Sequence, residues 1–322
     1  MTRVYPPIET KTQSNGLSPS FVETVAGFSA GVIATLAVHP FDVLKTRLQL
    51  DHTHRPQWGN SFHLMRNIVR DEGSYAALYR GLMPNMIGNS VSWGLYFLWY
   101  RNLKDIFQSW RGHNVHLTSL DYFLASGLSG ILTAVLTNPI WVIKTRMLSS
   151  SRSAPGAYHS ISHGVREILA SEGLAGFYRG LIPSLFGVSH GAVQFMAYEQ
   201  LKRRRARQLA GAGGGAGQVG ELSNWDYLVL SAGSKVFAGS VTYPYQVVRA
   251  RLQTYNADKA YKSARDVVVQ VWRKEGLGGF YKGLGPNIVR VLPSTCVTFL
   301  VYENTKFYLP RVWDTGLAFE AD

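Results

Sequence analysis

Three nine-residue stretches, at 39–47, 138–146 and 243–251, read H-P-F-D-V-L-K-T-R, N-P-I-W-V-I-K-T-R and Y-P-Y-Q-V-V-R-A-R. Each keeps a proline and two basic residues in one frame, whereas the position two beyond the proline is Asp42, Trp141 or Gln246. Cations repeated in this way, within apolar surroundings, suit the binding of anions or the closing of ion pairs between neighbouring helices. Arg290 has the same character: a guanidinium inside an apolar stretch is costly, faces a cavity or a partner, and is shaped for bidentate binding of phosphate or carboxylate. Lys235 lies eleven residues before Gln246, within roughly 20° of the same face of an unbroken helix, and is read as a second cavity cation. His190, alone in its segment, is read as a hydrogen bonder between helices. No P-loop, metal-spaced histidine cluster or nucleophile motif accompanies these residues, so neither an enzyme activity nor a catalytic cofactor or metal is expected.

The elements that position these residues repeat. Pro40, Pro139 and Pro244 stand 99 and 105 residues apart. About forty residues after each comes an aromatic-basic-glycine element, Tyr79-Arg80-Gly81, Tyr178-Arg179-Gly180 and Tyr281-Lys282-Gly283, preceded by Glu72-Gly73, Glu172-Gly173 and Glu275-Gly276. Self-similarity of this extent makes the chain a tandem triplet. Each repeat holds a pair of apolar segments. Tyr122 to Ile143 and Leu82 to Tyr100 carry no charged residue over 22 and 19 positions, close to the ~20 that a helix needs to cross a bilayer. The other four are interrupted by Glu23 and His39, His190, Lys235 or Arg290. Together with a mean hydropathy of −0.03, they predict six helices around a water-filled cavity. Between the paired spans, 63–70, 163–169 and 264–272 alternate at helical spacing and predict short amphipathic surface helices. The organisation is therefore a tail over 1–20, repeats over 21–113 and 114–208, a Gly/Ala-rich linker over 209–222, a third repeat over 223–310 and a tail over 311–322.

Composition supports this reading. Aromatic residues make up 12% and charged residues 16%, the balance of a membrane protein, and the formal net charge is +13. Such a charge fits anionic lipid or an anionic substrate as well as nucleic acid, and the run 202–205 (K-R-R-R) is read as a solvated helix end near lipid headgroups, with no nucleic-acid partner. Cys296 is the single cysteine, which excludes an intrachain disulfide. The first twenty residues lack the apolar core of a secretory signal and the Arg-rich pattern of a presequence.

The three copies of P-x-[acidic]-x-x-[basic]-x-[basic], each with its downstream elements, resemble the mitochondrial carrier family over nearly the whole chain, from about Phe21 to Tyr308. The resemblance implies an all-α, six-helix, threefold pseudosymmetric transporter of the inner mitochondrial membrane, a monomer working by alternating access. It implies a matrix-side gate in which Asp42 pairs with Lys144, Trp141 faces Arg249 and Gln246 faces Lys45. Gln49 and Gln253 fill the bracing position there, which is Leu148 in the second repeat. An opposite, cytosol-side gate takes Tyr198, Glu199 and Lys202 with Tyr302, Glu303 and Lys306, while the first repeat departs from the pattern with Tyr100-Arg101 and Lys104. Substrate contacts fall seven residues beyond the aromatic-basic-glycine elements, at Gly88 with Asn89, Gly187 with Val188, and Arg290, with Lys235 added from its helix position. Arg80, Gly81, Arg179, Gly180, Lys282 and Gly283 are implied as cardiolipin-binding positions. Trp141, Gln246 and the run around His190 resemble the branch that carries FAD and folate, so an anionic, ring-containing cofactor is the expected cargo. Pyrimidine nucleotides or NAD, or proton and fatty-acid conduction on the same fold, remain as alternatives.

Overall fold

The computed structural model describes residues 18–51, 60–112, 117–151, 154–212, 222–255 and 257–319. Most of the expected tail over 1–20 and of the Gly/Ala linker lies outside the described residues. The described chain is helical throughout, with no strand. In order come α1 (Pro19–Leu50), α2 (Asn60–Asp71), α3 (Leu82–Arg111), α4 (Ser119–Ser149), α5 (Ile161–Ser171), α6 (Leu181–Ala212), α7 (Asn224–Val241), α8 (Tyr243–Gln253), α9 (Ala264–Gly279), α10 (Leu284–Val289) and α11 (Val291–Phe319). A long helix, a short one and another long one recur three times. α11 runs on into the residues read as a C-terminal tail.

The prolines act differently in the three repeats. α1 and α4 pass through Pro40 and Pro139 as single helices, whereas the third repeat breaks at Thr242, with Pro244 in the first turn of α8. Proline can donate no hydrogen bond to the preceding turn, and a break just before it leaves that donor out of the ladder. A second break falls at Arg290, between α10 and α11. Pro293 accounts for it, because its ring opposes the carbonyl four residues earlier, that of Val289.

Among the described residues, Phe21–Leu50, Leu120–Ser149 and Leu284–Trp313 are long and apolar enough to cross a membrane. α3 falls outside this set although its first nineteen residues are free of charge. Asn85, Asn89, Ser90 and Ser92 lower its hydropathy, so absence of charge overstated how apolar the segment is.

The chain divides into two compact units, one of residues 38–293 and one of 1–37 with 294–322. The smaller unit contains one ion pair of note, Lys306 with Glu23 at 3.7 Å, both well exposed and therefore weak. The larger unit contains the short helices. α2, α5 and α9 bury Ile68, Ile168, and Val267 with Val271, respectively. Ile168 packs with Val142, Ile143 and Met147 of α4, Ile68 with Val43 and Leu148, and Val267 and Val271 with Val248.

Each short helix is tied down by the second basic residue of the proline motif. Arg47 meets Glu72, Arg146 meets Glu172 and Arg251 meets Glu275, each at 2.6 Å. The glycine that follows each glutamate, Gly73, Gly173 or Gly276, has φ between 66° and 68°, a left-handed turn that a side chain resists. The acidic-glycine pair thus combines a counter-ion with a chain reversal. Arg179 and Lys282 close on the same carboxylates, Arg179 on Glu172 at 2.6 Å and Lys282 on Glu275 at 2.8 Å. Burial alone would push the Glu275 carboxyl up, but hydrogen bonds and charge from Arg251 and Lys282 outweigh it and hold the group down to about 2.

Because that value lies below the ordinary 4.5, the stabilisation is complete above about pH 4.5 and disappears as pH falls towards 2. In detergent, Glu275→Gln is expected to unfold several degrees below the wild type at neutral pH. The gap should narrow between pH 4.5 and pH 2; a pH-independent gap in thermal unfolding would contradict the assigned ion pairs.

Candidate functional site

A cavity of about 310 Å³ opens within the larger unit, lined among others by Asp42, Lys45, Trp141, Lys144, His190, Tyr245, Gln246, Arg249 and Arg290. Its walls come from α1, α4, α6, α8 and the break after α10. The three proline motifs have therefore been brought together, and Arg290 has been brought to them. Four basic side chains share the cavity with one carboxylate, Asp42, a formal surplus of three positive charges.

Two of the expected gate pairings are present. Lys45 donates from Nζ to Gln246 Oε1 at 2.8 Å and to Asn287 Oδ1 at 2.9 Å. The Arg249 guanidinium lies 5.7 Å from the Trp141 ring centroid, so the indole receives a cation where a carboxylate would otherwise do so. A cation over an indole is worth ~0.5–2 kcal/mol. The third pairing differs. Asp42 is engaged by Arg290 in a short, charge-assisted contact, whereas Lys144 sits 4.9 Å from the Trp141 ring. With one carboxylate among four cations, the two-pronged guanidinium takes it and the aromatic face accepts the lysine. Asn85 supplements the pair, reaching Asp42 Oδ2 at 3.5 Å and His39 Nδ1 at 3.4 Å.

The bracing position acts as a wedge. Gly81, Gly180 and Gly283 begin or precede the even-numbered members of the helix pairs with φ of 73°, 72° and 82°. Leu148 and Gln253 press on the first two, and at Gly283 the Lys45 carbonyl and the Tyr243 hydroxyl are closest, with Gln49 in ordinary contact. A Cβ added at Gly81 would lie 2.1 Å from Leu148 Cδ1, one at Gly180 2.9 Å from Gln253 Cγ, and one at Gly283 3.4 Å from Gln49 Cγ and only 2.8 Å from the Lys45 carbonyl. Leucine can therefore replace glutamine, because part of the role is steric. The glutamines add polar bonds: Gln49 Nε2 donates to Tyr243 Oη at 3.1 Å, and Gln253 Oε1 accepts from Thr145 at 3.0 Å.

The expected substrate positions separate into two groups. Arg290 lines the cavity, with about a third of its side chain exposed. Gly88, Gly187 and Val188 are occupied in helix packing. A Cβ at Gly88 would meet Ile140 at 3.2 Å and Trp141 at 3.5 Å, one at Gly187 would meet the Tyr245 hydroxyl at 3.1 Å, and Val188 packs against Gly130. The space beside Gly187 is taken by the ring of the protein's own Tyr245. Asn89 is half-buried and bonds to Asn85 at 3.4 Å. Lys235 is half-buried on α7 and is not among the residues lining the cavity. The expectation that it shares the face of Gln246 took one unbroken helix, and a break at Thr242 stands between the two residues. His190 links helices as expected, with Nδ1 2.8 Å from Thr242 Oγ1, and it also borders the cavity.

The other expected sites take simpler forms. Lys202 lies 6.0 Å from the Tyr227 ring, near Tyr198 and Glu199 in sequence. In the smaller unit Lys306 lies 5.7 Å from the Tyr302 ring, one residue before Glu303. Of the expected lipid-binding cations, Lys282 is 4% exposed and also donates to the Asp51 carbonyl at 2.6 Å, and Arg80 donates to the Met147 carbonyl at 2.5 Å. Their side chains, like that of Arg179, are engaged with the protein. Among the described residues no group of three or more His, Cys, Asp or Glu could hold a metal ion.

Asn85, Asn287 and Tyr245 are members of the site not anticipated from sequence. The two asparagines were visible in the repeated G-L-x-P-N element, where the second repeat has Ser184, whose hydroxyl turns back to the Gly180 carbonyl at 2.7 Å.

The threefold arrangement has a counterpart in known proteins. A family model described as "Mitochondrial carrier protein" matches residues 17–110, 115–208 and 220–312. The chain belongs to the mitochondrial carrier family. Among similar carriers, the mitochondrial FAD carrier protein of Saccharomyces cerevisiae is 38% identical over 91% of this chain and 98% of its own length. The mitochondrial nicotinamide adenine dinucleotide transporter 2 of Arabidopsis thaliana is 38% identical over 86% of this chain and 77% of its own. The chloroplastic folate transporter 1 of the same plant is 38% identical over 87% and 92%. All three are named for the transport of large cofactors with aromatic ring systems, and none is distinguished from the others by identity to this carrier.

The wedges make a sharp structural prediction for this carrier. Gly283→Ala meets a backbone carbonyl at 2.8 Å in a left-handed turn, whereas a Cβ at Gly94 meets nothing within 4 Å. Thermal unfolding in detergent should show a loss of several degrees for Gly283→Ala and little change for Gly94→Ala; equal effects would contradict the wedge.

Proposed function

We propose that this carrier moves an anionic, ring-containing cofactor, FAD or folate, across the inner mitochondrial membrane by alternating access, as a multi-pass monomer with cardiolipin around it. The supporting observation is the cavity in which Lys45, Lys144, Arg249 and Arg290 face Asp42 alone. Both cargoes carry two negative charges on a flexible segment, the pyrophosphate of FAD or the glutamyl carboxylates of folate. A cavity of about 310 Å³ takes that charged segment, leaving the ring system to the space beyond it. Arg290 is the primary contact. An incoming phosphate or carboxylate competes with Asp42 for its guanidinium, so binding of substrate releases the carboxylate that helps to close the gate. The freed Asp42 remains among Lys45 and Lys144, which limits the electrostatic cost of the exchange.

The gate is then held by one carboxylate, one indole and one amide. Trp141 carries Arg249 on its face and Gln246 carries Lys45. Contacts of this strength are easier to open than three desolvated ion pairs, which suits a bulky cargo that needs a wide passage. Gly88, Asn89, Gly187 and Val188 shape the passage through helix packing, and Lys235 supplies a further cation along α7. NAD is the second reading, favoured by the two carriers of similar identity that are named for nicotinamide adenine dinucleotide. One relative named for NAD and the one named for folate are called chloroplastic, so the membrane is tested by fractionation rather than by similarity.

Purified protein reconstituted in liposomes is expected to take up radiolabelled FAD or folate saturably, with Arg290→Ala reducing uptake by at least tenfold while retaining a cooperative unfolding transition. Saturable uptake of NAD alone would favour the second reading. Uptake of none of the three, or wild-type rates in Arg290→Ala, would overturn the assignment.

A further inference from the structure

The residue immediately before each motif proline is His39, Asn138 or Tyr243, three side chains with little in common except a hydrogen-bond donor. All three direct that donor to one equivalent turn. His39 Nε2 lies 2.9 Å from the Arg80 carbonyl oxygen and Tyr243 Oη 3.0 Å from that of Lys282, while Asn138 Nδ2 lies 2.7 Å from the Phe177 carbonyl and 3.3 Å from that of Arg179. A carbonyl can only accept, so the His39 proton is on Nε2, which leaves Nδ1 to accept from Asn85.

The need for such a donor follows from the turn. Gly81, Gly180 and Gly283 sit in the left-handed region, and the helices they introduce begin their ladders at the glycine carbonyls: Asn85 N to Gly81 O at 3.2 Å, Ser184 N to Gly180 O at 3.1 Å and Asn287 N to Gly283 O at 3.3 Å. The carbonyl one residue earlier lies outside the ladder and takes its partner from elsewhere. A residue at the hinge of the odd-numbered member of the pair provides it.

We infer that His39, Asn138 and Tyr243 are positioning residues, each latching the proline hinge of one helix to the turn that starts the next, and thereby setting, seven residues beyond that turn, the helix packing at Gly88 and Gly187 that shapes the passage and the substrate contact at Arg290. The spacing is the same in all three repeats: Gly81 to Gly88, Gly180 to Gly187 and Gly283 to Arg290. Two helical turns of a stiff rod carry a shift at the latch directly to the contact. In the third repeat the latch also carries the brace, because Tyr243 Oη accepts from Gln49 while donating to Lys282. This inference rests on the proposal that Arg290 meets the substrate in a passage shaped by the packing at Gly88 and Gly187.

The test uses variants that remove the donor and keep the ring. Tyr243→Phe retains the stack on Tyr281, and His39→Phe retains that on Tyr79. His39→Asn restores a donor of the kind the second repeat uses. In liposomes, with whichever of FAD, folate or NAD the wild type transports, Tyr243→Phe and His39→Phe are expected to raise KM roughly three- to tenfold with maximal rate per folded protein little changed, and His39→Asn is expected to recover most of the wild-type KM. A merely structural bond would lower the folded fraction, and so the maximal rate, without moving KM. Unchanged KM in both Phe variants, or His39→Asn no better than His39→Phe, overturns the latch while leaving the transport assignment intact. Arg290→Ala measured in the same series separates the two: wild-type transport in that variant overturns the substrate site, and with it the inference.

Discussion

Three guanidinium groups drawn under the long helices govern what the rest of this chain can do. Arg146 and Arg251 are almost wholly buried and Arg47 nearly so. An arginine cannot shed its proton, so each must have a carboxylate and further acceptors where it lies. Glu72, Glu172 and Glu275 meet that demand, but only if the chain turns back after each short helix, which Gly73, Gly173 and Gly276 allow. The glutamates then collect Arg179 and Lys282 as well, and the starts of the following helices are fixed. Position of the short helix, the reversal and the entry to the next long helix thus descend from one electrostatic requirement met three times.

With the second basic residue of each motif committed to this framework, the first is left for the cavity. Lys45, Lys144 and Arg249 gather there with Arg290, and the single carboxylate among them goes to the guanidinium best shaped to hold it. Function and structure are divided along the motif two residues apart. One cation holds the fold and is buried with its own counter-ion; the other lines a cavity where cations outnumber carboxylates, and on the proposed function it answers to an anion from outside. A carrier that satisfied every charge internally would have nothing with which to attract its cargo.

The loss of two acidic residues, at Trp141 and Gln246, has the same logic. Each removes a negative charge from the cavity while keeping a contact for the facing cation, through the face of an indole or an amide oxygen. On the proposed reading, the gate is closed by weaker bonds and the cavity is more attractive to anions in the same step.

Much of this was legible in the residues alone. The repeat, the helix pairs and the amphipathic short helices follow from periodicity and spacing, because these are set by local backbone geometry and by the side-chain order along each helix. The meeting of the three motifs, and two of their three contacts, were implied by the family resemblance. Tertiary structure decided the rest. Asp42 prefers Arg290 to Lys144 because four cations from separate parts of the chain compete for it, and no local pattern ranks such competitors. A break at Thr242 separates the helix of Lys235 from that of Gln246, and Tyr245 from another helix takes the space beside Gly187. Sequence determined which residues would meet at one level of the helices, since spacing along a helix is a local quantity. Which of them would touch depended on reach, shape and the count of charges at the meeting point, which exist only once the helices have packed.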